Sequence, residues 1–385
     1  MEKTIINSDF KLGILGGGQL GKMLALAAGN WDLNTWMLDS SKDFPAGNVC
    51  SHFVEGNFKN YDDVINFGRQ VDVLSIEIES VNADALIQLK KEGKIIHPDP
   101  HQLKIIKDKG LQKEFYFQKK LPTSSFQFFE NKEDIIQSIS NKNLEFPFVQ
   151  KARTDGYDGK GVAVIKKKAD LEKLLDCKSI VEPLVDIQKE IAVIVARNLS
   201  GEVKAFPVVE MEFNPIANLV EYLVCPSNIS STLSDKAKEI AIKTIETFDL
   251  CGLLAVEMFL TNDNEILINE VAPRPHNSGH HTIDSCITSQ FQQHLRAVLN
   301  LPLGETTIQT PAVMVNLLGH PDYTGHAIYQ NIEKCMAIEG AKFHLYGKKL
   351  TKPFRKMGHA TVVDSDLESA IAKAKFINET LNIIA

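Results

Sequence analysis

The segment KLGILGGGQLGKMLALAAGN, residues 11–30, constrains the fold more than any other part of this 385-residue chain. Residues 11–15 form a short apolar run of strand type. Gly16, Gly18 and Gly21 follow at the G-x-G-x-x-G spacing. Leu20, Met23, Leu24 and Ala27 then recur at helical spacing, and Gly29-Asn30 supplies the stop. A second apolar run, Asn34 to Leu38, ends on Asp39. Strand, glycine turn, helix, strand and acid are the parts of a Rossmann-like unit. They direct the N-terminal part of the chain to an α/β, doubly wound fold.

Such a turn captures anions, because the free N–H groups of a helix N-terminus point at whatever sits there. Asp39 suits a ribose hydroxyl, which would make the site one for NAD or FAD. Any other phosphate would satisfy the same N–H groups. The spacing alone therefore leaves the ligand open.

The chain is long enough for two or three domains. Its net charge of −7 gives no electrostatic footprint for nucleic acid or an anionic membrane, so any basic site must be local. The six cysteines form no C-x-x-C pair. They read as reduced thiols, and the expected compartment is the cytoplasm. MEKTIINSDFK has no apolar stretch of signal-peptide type, and no apolar run is long enough to span a bilayer.

Residues 1–100 alternate strand and helix patterns. Lys104 to Lys120 read as one basic helix, broken by Pro122. From about 123 to 186 short strands dominate: SSFQFF, FPFVQKA, VAVIKK and SIVEPLV. Longer strands follow, with a helix over Ser234–Phe248. The last part carries the strand PAVMVNLLG and ends in a helix opened by a capping box at Ser365-Asp-Leu-Glu368. The expected division is 1–100, 101–304 with a nucleotide-covering subdomain at about 123–186, and 305–385.

A second glycine loop lies in FVQKARTDGYDGKGVAVIKK. Lys151 closes one strand and Val162 opens the next, so Gly156-Tyr157-Asp158-Gly159-Lys160-Gly161 joins two strands. No GK[ST] leads into a helix, so it is not a Walker A loop. A glycine-rich hairpin can fold over a polyphosphate, and Lys151 can hold a phosphate as a point charge. An exposed, flexible hairpin is the plainer reading of the loop taken alone.

Two strands flank the turn Asn262-Asp263-Asn264-Glu265. With Asp263-Asn264 at the centre of a two-residue turn, Glu257 lies opposite Glu270 on one face. Two facing carboxylates repel each other. A divalent cation between them removes the conflict, and hard oxygen ligands completed by substrate phosphates suit Mg²⁺. A one-residue slip would separate the pair, but the alternation of Leu254, Val256, Met258 and Leu260 argues against it. Asn269 should point to the other face unless the strand bends. Glu182 ends a strand, the extended apolar segment Pro183-Leu184-Val185 that follows can line an adenine ring, and Glu190 can reach ribose hydroxyls.

Together GGGQLGKML (16–24), GYDGKG (156–161) and INEVAPRPHNSGHH (268–281) resemble the ATP-grasp superfamily over essentially the whole chain. Within it the match is to the N5-carboxyaminoimidazole ribonucleotide synthetase family. That resemblance implies a Rossmann-like pre-ATP-grasp domain, a central ATP-grasp domain and a small C-terminal domain. It also implies a reaction: ATP phosphorylates bicarbonate to carboxyphosphate, and the amine of 5-aminoimidazole ribonucleotide takes the carboxyl group. The family tends to be dimeric. By position, Lys109, Lys151, the loop 156–161, Glu182, Pro183, Leu184, Val185, Glu190, Asn269 and Glu270 resemble its ATP contacts. Glu257 and Glu270 resemble its metal ligands. Arg274 and His276 resemble the residues around bicarbonate, with Tyr157, Asp158 and Lys160 facing the same space. Gln19, Leu20 and Glu79 resemble ribonucleotide contacts, and Lys348, Arg355 and Lys356 resemble its phosphate cluster, though a basic cluster is more often a solvated face. In this family the first glycine turn holds no NAD.

Two positions depart from the family pattern. Phe213 stands near a usual histidine, and Lys109 stands where arginine is commoner. His276, His280 and His281 are at no helical zinc spacing, because Pro275 and Gly279 disfavour a helix. One is expected to face substrate and the other two to pack or lie at the surface. The competing functions are a formate-dependent glycinamide ribonucleotide transformylase, a biotin carboxylase, an NAD dehydrogenase and a non-catalytic nucleotide-binding regulator. The last two leave the carboxylate pair without a purpose. A biotin carboxylase would be longer than this chain.

Overall fold

The computed structural model describes residues 7–154, 156, 161–214 and 219–385. The first glycine unit folds as its pattern requires. Strand β1 (Lys11–Leu15) leads through the glycine turn into helix α1 (Gln19–Gly29), and strand β2 (Asn34–Asp39) returns beside β1. With β3 (His52–Glu55), β4 (Val73–Ile76) and β5 (Ile95–Ile96) they form a parallel sheet in the order β3-β2-β1-β4-β5. Helix α1, with α2 (Tyr61–Gly68) and α3 (Ala83–Lys91), supplies crossovers between the parallel strands. Both faces of the sheet are covered, so the strands are continuously apolar: Leu12, Ile14, Leu15, Leu74 and Ile76 are all buried.

The single helix expected over 104–120 is two helices, α4 (Pro100–Lys107) and α5 (Lys109–Gln118). Asp108 between them is extended, and its carboxylate accepts from the N–H groups of Gly110 at 2.8 Å and Leu111 at 3.2 Å. An aspartate caps a helix better than it continues one, and here Arg153 holds it as well, with Nη2 2.6 Å from Oδ2. The break makes Lys109 the first residue of a helix aimed at the site described below.

Four short antiparallel strands follow: β6 (Gln127–Phe129), β7 (Phe148–Ala152), β8 (Val162–Ile165) and β9 (Ser179–Pro183), in the order β6-β9-β7-β8. Helix α6 (Lys132–Ser140) buries Ile135 against this small sheet.

The largest sheet has nine strands. β10 (Ile187–Arg197), β11 (Val203–Ala205), β12 (Val209–Phe213), β13 (Val220–Cys225), β14 (Gly252–Thr261) and β15 (Ile266–Ala272) supply one part. β16 (Ala312–Leu318) and the strands Lys356–Val363 and Ala341–Leu345 continue it through the β13–β16 pairing. One face carries Ile191, Val193, Val195, Leu254, Val256, Met258 and Leu260 against helix α7 (Ser231–Thr247). Each such side chain stabilises the fold by roughly 1.5–3 kcal/mol when fully buried. α7 starts earlier than expected, because Ser230 caps it by accepting from the Leu233 N–H. The last helix runs Leu367–Thr380, and its cap is Asp366 rather than Ser365. Among the described residues no helix is long and apolar enough to cross a membrane. All six cysteines are free.

Candidate active site

The first glycine turn is already filled by the chain's own carboxylates. Gly17 donates its N–H to Asp39 Oδ2 at 2.8 Å. Gly18 and Gly21 donate theirs to the two oxygens of Glu77, each at 2.5 Å. A Cβ at Gly16, whose φ is +106°, would lie 2.4 Å from Glu77 Cγ, so the turn tolerates only glycine there. Burial pushes the Glu77 carboxyl up, while the two N–H groups favour its charged form. A phosphate would have to displace buried acids, which overturns the expectation of anion capture here. The reading of Asp39 as a ribose ligand fails for the same reason: its other oxygen accepts from Ser40 N–H at 2.7 Å. Glu77 was not singled out from sequence, although it is the first acid after the run that ends at Ile76.

The carboxylate pair is real, but it arises differently from the expected two-residue turn. Glu265 pairs with Thr261, so the turn holds three residues, with Asn264 at φ +61°. That shifts the register by one near the turn. A bulge between Glu257/Glu270 and Met258/Ile268 shifts it back, leaving Asn269 as the extra residue. Glu257 and Glu270 end up opposite each other. The bulge also brings Asn269 to the same site, where Lys151 Nζ donates to its Oδ1 at 2.7 Å.

Lysines face this hairpin from two elements. Lys109, at the start of α5, is paired with Glu270. Lys151, at the end of β7, lies 3.1 Å from Glu182 Oε2. Lys113, one turn along α5 and missed in the sequence, lies 3.0 Å from Glu182 Oε1 and donates to Thr123 Oγ1 and Ser124 Oγ at 2.6 and 2.9 Å. Its i,i+4 spacing from Lys109 was the available signal. Burial pushes Lys113 down to about 8 against the pull of Glu182. Burial would raise Glu182, but Lys151 and Lys113 outweigh it and hold the carboxyl below its usual range. Glu182 is thus a buried counter-ion, with its side chain committed to lysines. Pro183 closes β9, and Leu184 and Val185, partly open, lead on towards β10.

Gly156 and Gly161 close the second glycine loop. A Cβ at Gly161, whose φ is +80°, would lie 3.2 Å from Gly156 Cα. Tyr157, Asp158, Gly159 and Lys160 lie outside the described residues. Glu190, on β10, is pushed up to about 7, mainly by burial. Burial and the neighbouring Glu270 raise Glu257, whereas Lys109 holds Glu270 low despite its burial. The two acids thus divide their roles: one resists ionisation and the other is ionised. A divalent cation relieves that conflict, so Glu257 and Glu270 fit Mg²⁺ as a donor set of hard oxygens.

Beyond Glu257 lies a second group. His276 Nε2 is 3.7 Å from Glu257 Oε1. Arg274 Nε is 2.9 Å from Glu79 Oε1, which ties the end of the hairpin to the N-terminal sheet. Gln19 and Leu20 open α1. Lys22, on the same helix, donates to the carbonyls of Leu345 and Tyr346 at 2.9 and 3.3 Å and so holds the C-terminal segment against α1. In that segment Lys348 donates to the Lys356 carbonyl at 2.6 Å, and Lys356 draws Glu257 towards its charged form. Arg355 bonds the Leu350 carbonyl at 2.6 Å, further out. His280 and His281 are fully buried, which removes the surface alternative for them. Phe213 ends β12 opposite Val220 and packs with Met211 and Leu223.

Two sheets that bring lysines and acidic residues together, with a glycine-rich connection between β7 and β8, have the layout of an ATP-grasp enzyme. The ATP-grasp domain model matches residues 114–291, the ribonucleotide synthetase pre-ATP-grasp domain matches 10–107, and the phosphoribosylaminoimidazole carboxylase C-terminal domain matches 312–373. The chain is 42% identical to N5-carboxyaminoimidazole ribonucleotide synthetase from Thermotoga maritima, with a TM-score of 0.90 over 98% of this chain and 99% of that one. The Aspergillus clavatus N5-carboxyaminoimidazole synthase, solved with ADP and 5-aminoimidazole ribonucleotide, is 32% identical with a TM-score of 0.88, covering 97% and 98%. Phosphoribosylaminoimidazole carboxylase from Candida albicans is 41% identical over 95% of this chain, which spans 66% of that protein's length. The chain belongs to the N5-carboxyaminoimidazole ribonucleotide synthetase family.

Proposed function

We propose that this chain carboxylates 5-aminoimidazole ribonucleotide with bicarbonate, at the cost of ATP, in purine biosynthesis. The observation that carries the reading is the Glu257–Glu270 pair, set between the lysines of α5 and β7 on one side and Arg274 and His276 on the other. One side suits a nucleotide polyphosphate, and the other suits a small anion and its acceptor.

A bicarbonate oxygen attacks the γ-phosphorus, the bond to ADP breaks, and carboxyphosphate forms. The acceptor amine then attacks the carboxyl carbon, phosphate leaves, and the amine loses a proton. Lys109 and Lys151 offset charge on the transferring phosphoryl group. Asn269 holds Lys151 in place. Arg274 and His276 line the space for the bicarbonate-derived anion, and Tyr157, Asp158 and Lys160 are assigned to the same reaction by their place in the sequence. Gln19, Leu20, Glu79, Lys348, Arg355 and Lys356 receive the ribonucleotide. Glu257 and Glu270 would hold Mg²⁺, which would supply charge neutralisation at the phosphates. The protein acts as a cytoplasmic homodimer in this reading. Its six free thiols support a reducing compartment, and light scattering tests the dimer.

The deciding assay is phosphate release with Mg-ATP and bicarbonate, with and without 5-aminoimidazole ribonucleotide. Parallel reactions contain glycinamide ribonucleotide plus formate. Stimulation by the aminoimidazole, with loss of its free amine, is the expected result. Stimulation by the glycinamide pair alone would replace the assignment with the transformylase.

A further inference from the structure

His276 stands on a short turn whose hydrogen bonds determine which ring nitrogen carries the proton. Its Nδ1 accepts from the backbone N–H of Ser278 at 3.3 Å, and Ser278 Oγ lies 2.9 Å away. A backbone N–H can only donate, so this contact favours Nδ1 as the accepting nitrogen, and the Ser278 hydroxyl can then donate to it as well. In a neutral imidazole the proton is then on Nε2, the atom that faces Glu257 Oε1.

The turn itself is clamped from behind. Gln290 is fully buried and opens the helix Gln290–Val298. Its Oε1 accepts from His276 N–H at 2.9 Å, and its Nε2 donates to the His276 carbonyl at 2.7 Å. One side chain thus satisfies both polar groups of the His276 backbone, as a neighbouring strand would. A Cβ at Gly279 would lie 2.4 Å from Gln290 Oε1, so glycine at 279 is what lets the amide approach. Gln290 is further anchored by its own N–H, which donates to Thr282 Oγ1 at 2.8 Å.

We propose that Gln290 and Ser278 are positioning residues that hold His276 as its Nε2–H tautomer, so that His276 donates a hydrogen bond to an oxygen of the bicarbonate-derived anion rather than accepting a proton from a reactant. This rests on the reaction proposed above. A donor set in place before the reaction stabilises developing negative charge without reorganising, which is the usual logic of an oxyanion site.

Amide substitutions separate the two roles, because glutamine places a nitrogen near the position of Nε2 and asparagine one near Nδ1. His276→Gln is expected to keep kcat within about tenfold of the unmodified protein, and His276→Asn to lose about 100-fold or more. Equal, complete loss in both would overturn donation. Nitrogen NMR of protein labelled at histidine, with the His276 signals assigned by their loss in His276→Gln, is expected to show a proton on Nε2 only. A proton on Nδ1 overturns the tautomer. That spectrum needs no turnover, so an inactive protein with the expected spectrum would count against the reaction and not against the tautomer. Gln290→Met removes both backbone bonds at similar length. It should lower kcat about tenfold or more while KM for ATP stays within about twofold. An unchanged kcat in a folded variant would remove Gln290 from a positioning role.

Discussion

Residue by residue, the site is a set of charges that make sense only in pairs. Glu270 is ionised because Lys109 touches it, and Glu257 resists ionisation because it is buried and faces the ionised Glu270. Glu270→Gln removes the ionised member. Turnover should fall by about 100-fold or more while the melting transition stays cooperative, since the polyphosphate loses the charge neutralisation that depends on this carboxylate. Normal activity across a Mg²⁺ series would sink the metal assignment. Lys113 has a different task. Its ammonium is buried with Glu182 and donates to Thr123 and Ser124, which places it to hold Glu182 beside Lys151. Lys113→Met leaves Glu182 with one cation instead of two. A loss of about 2–3 kcal/mol in urea unfolding is expected, because a buried charge that loses a partner is not re-solvated. If the double variant with Glu182→Gln is as unstable as the single one, the pair is not the cause. The individual charges were legible in the sequence, but the pairing of Lys113 was not, since burial of a lysine has no local signature.

At the level of elements, short polar residues decided where the chain changes direction. Asp108 turned one expected helix into two, and Asn264 with Asn269 turned a simple hairpin into a three-residue turn with a bulge. The hairpin shows how a correct pairing can come from an incorrect turn: two one-residue shifts cancelled, so Glu257 still met Glu270. Asp108→Ala tests the first of these devices. Losing the cap should cost about 1–2 kcal/mol. It should also weaken ADP binding measured by calorimetry, because Lys109 is the first residue of the helix that Asp108 starts. Unchanged ADP affinity would show that the position of Lys109 does not depend on the cap. Helix interiors and buried strands were readable because their periodicity repeats over many residues. Caps and bulges rest on one or two residues that compete among several allowed geometries.

For the whole molecule, buried histidines couple the fold to pH. Burial pushes His97 and His281 down to about 4 and His294 to about 3. In the unfolded chain each titrates near 6.5. Between these values the unfolded chain binds more protons, so stability rises with pH and is lost as pH falls from about 6.5 through about 3. The urea midpoint should therefore drop between pH 7 and pH 5, and His281→Phe should flatten that drop. An unaltered slope in the variant would assign the acid sensitivity to other groups. His294 also shows why such groups are placed by the fold: its Nε2 lies 2.9 Å from Ser75 Oγ, 219 residues away on β4 of the N-terminal sheet.

The sequence alone determined the layers, since hydrophobic period and glycine placement act over a few neighbouring residues and need no partner. It placed β1 at residues 11–15, the strand–turn–helix unit after it, the second glycine loop between strands, and the acids of the hairpin. The tertiary structure decided which polar groups are free. The N–H groups of Gly18 and Gly21 look available to a ligand until Glu77 arrives from β4. Asn269 points away until a bulge turns it, and whether His280 packs or lies at the surface is decided when His359 and Tyr346 come to lie against it. A hydrogen bond or an ion pair is spent on the nearest partner in space, and for these residues that partner lies far along the chain.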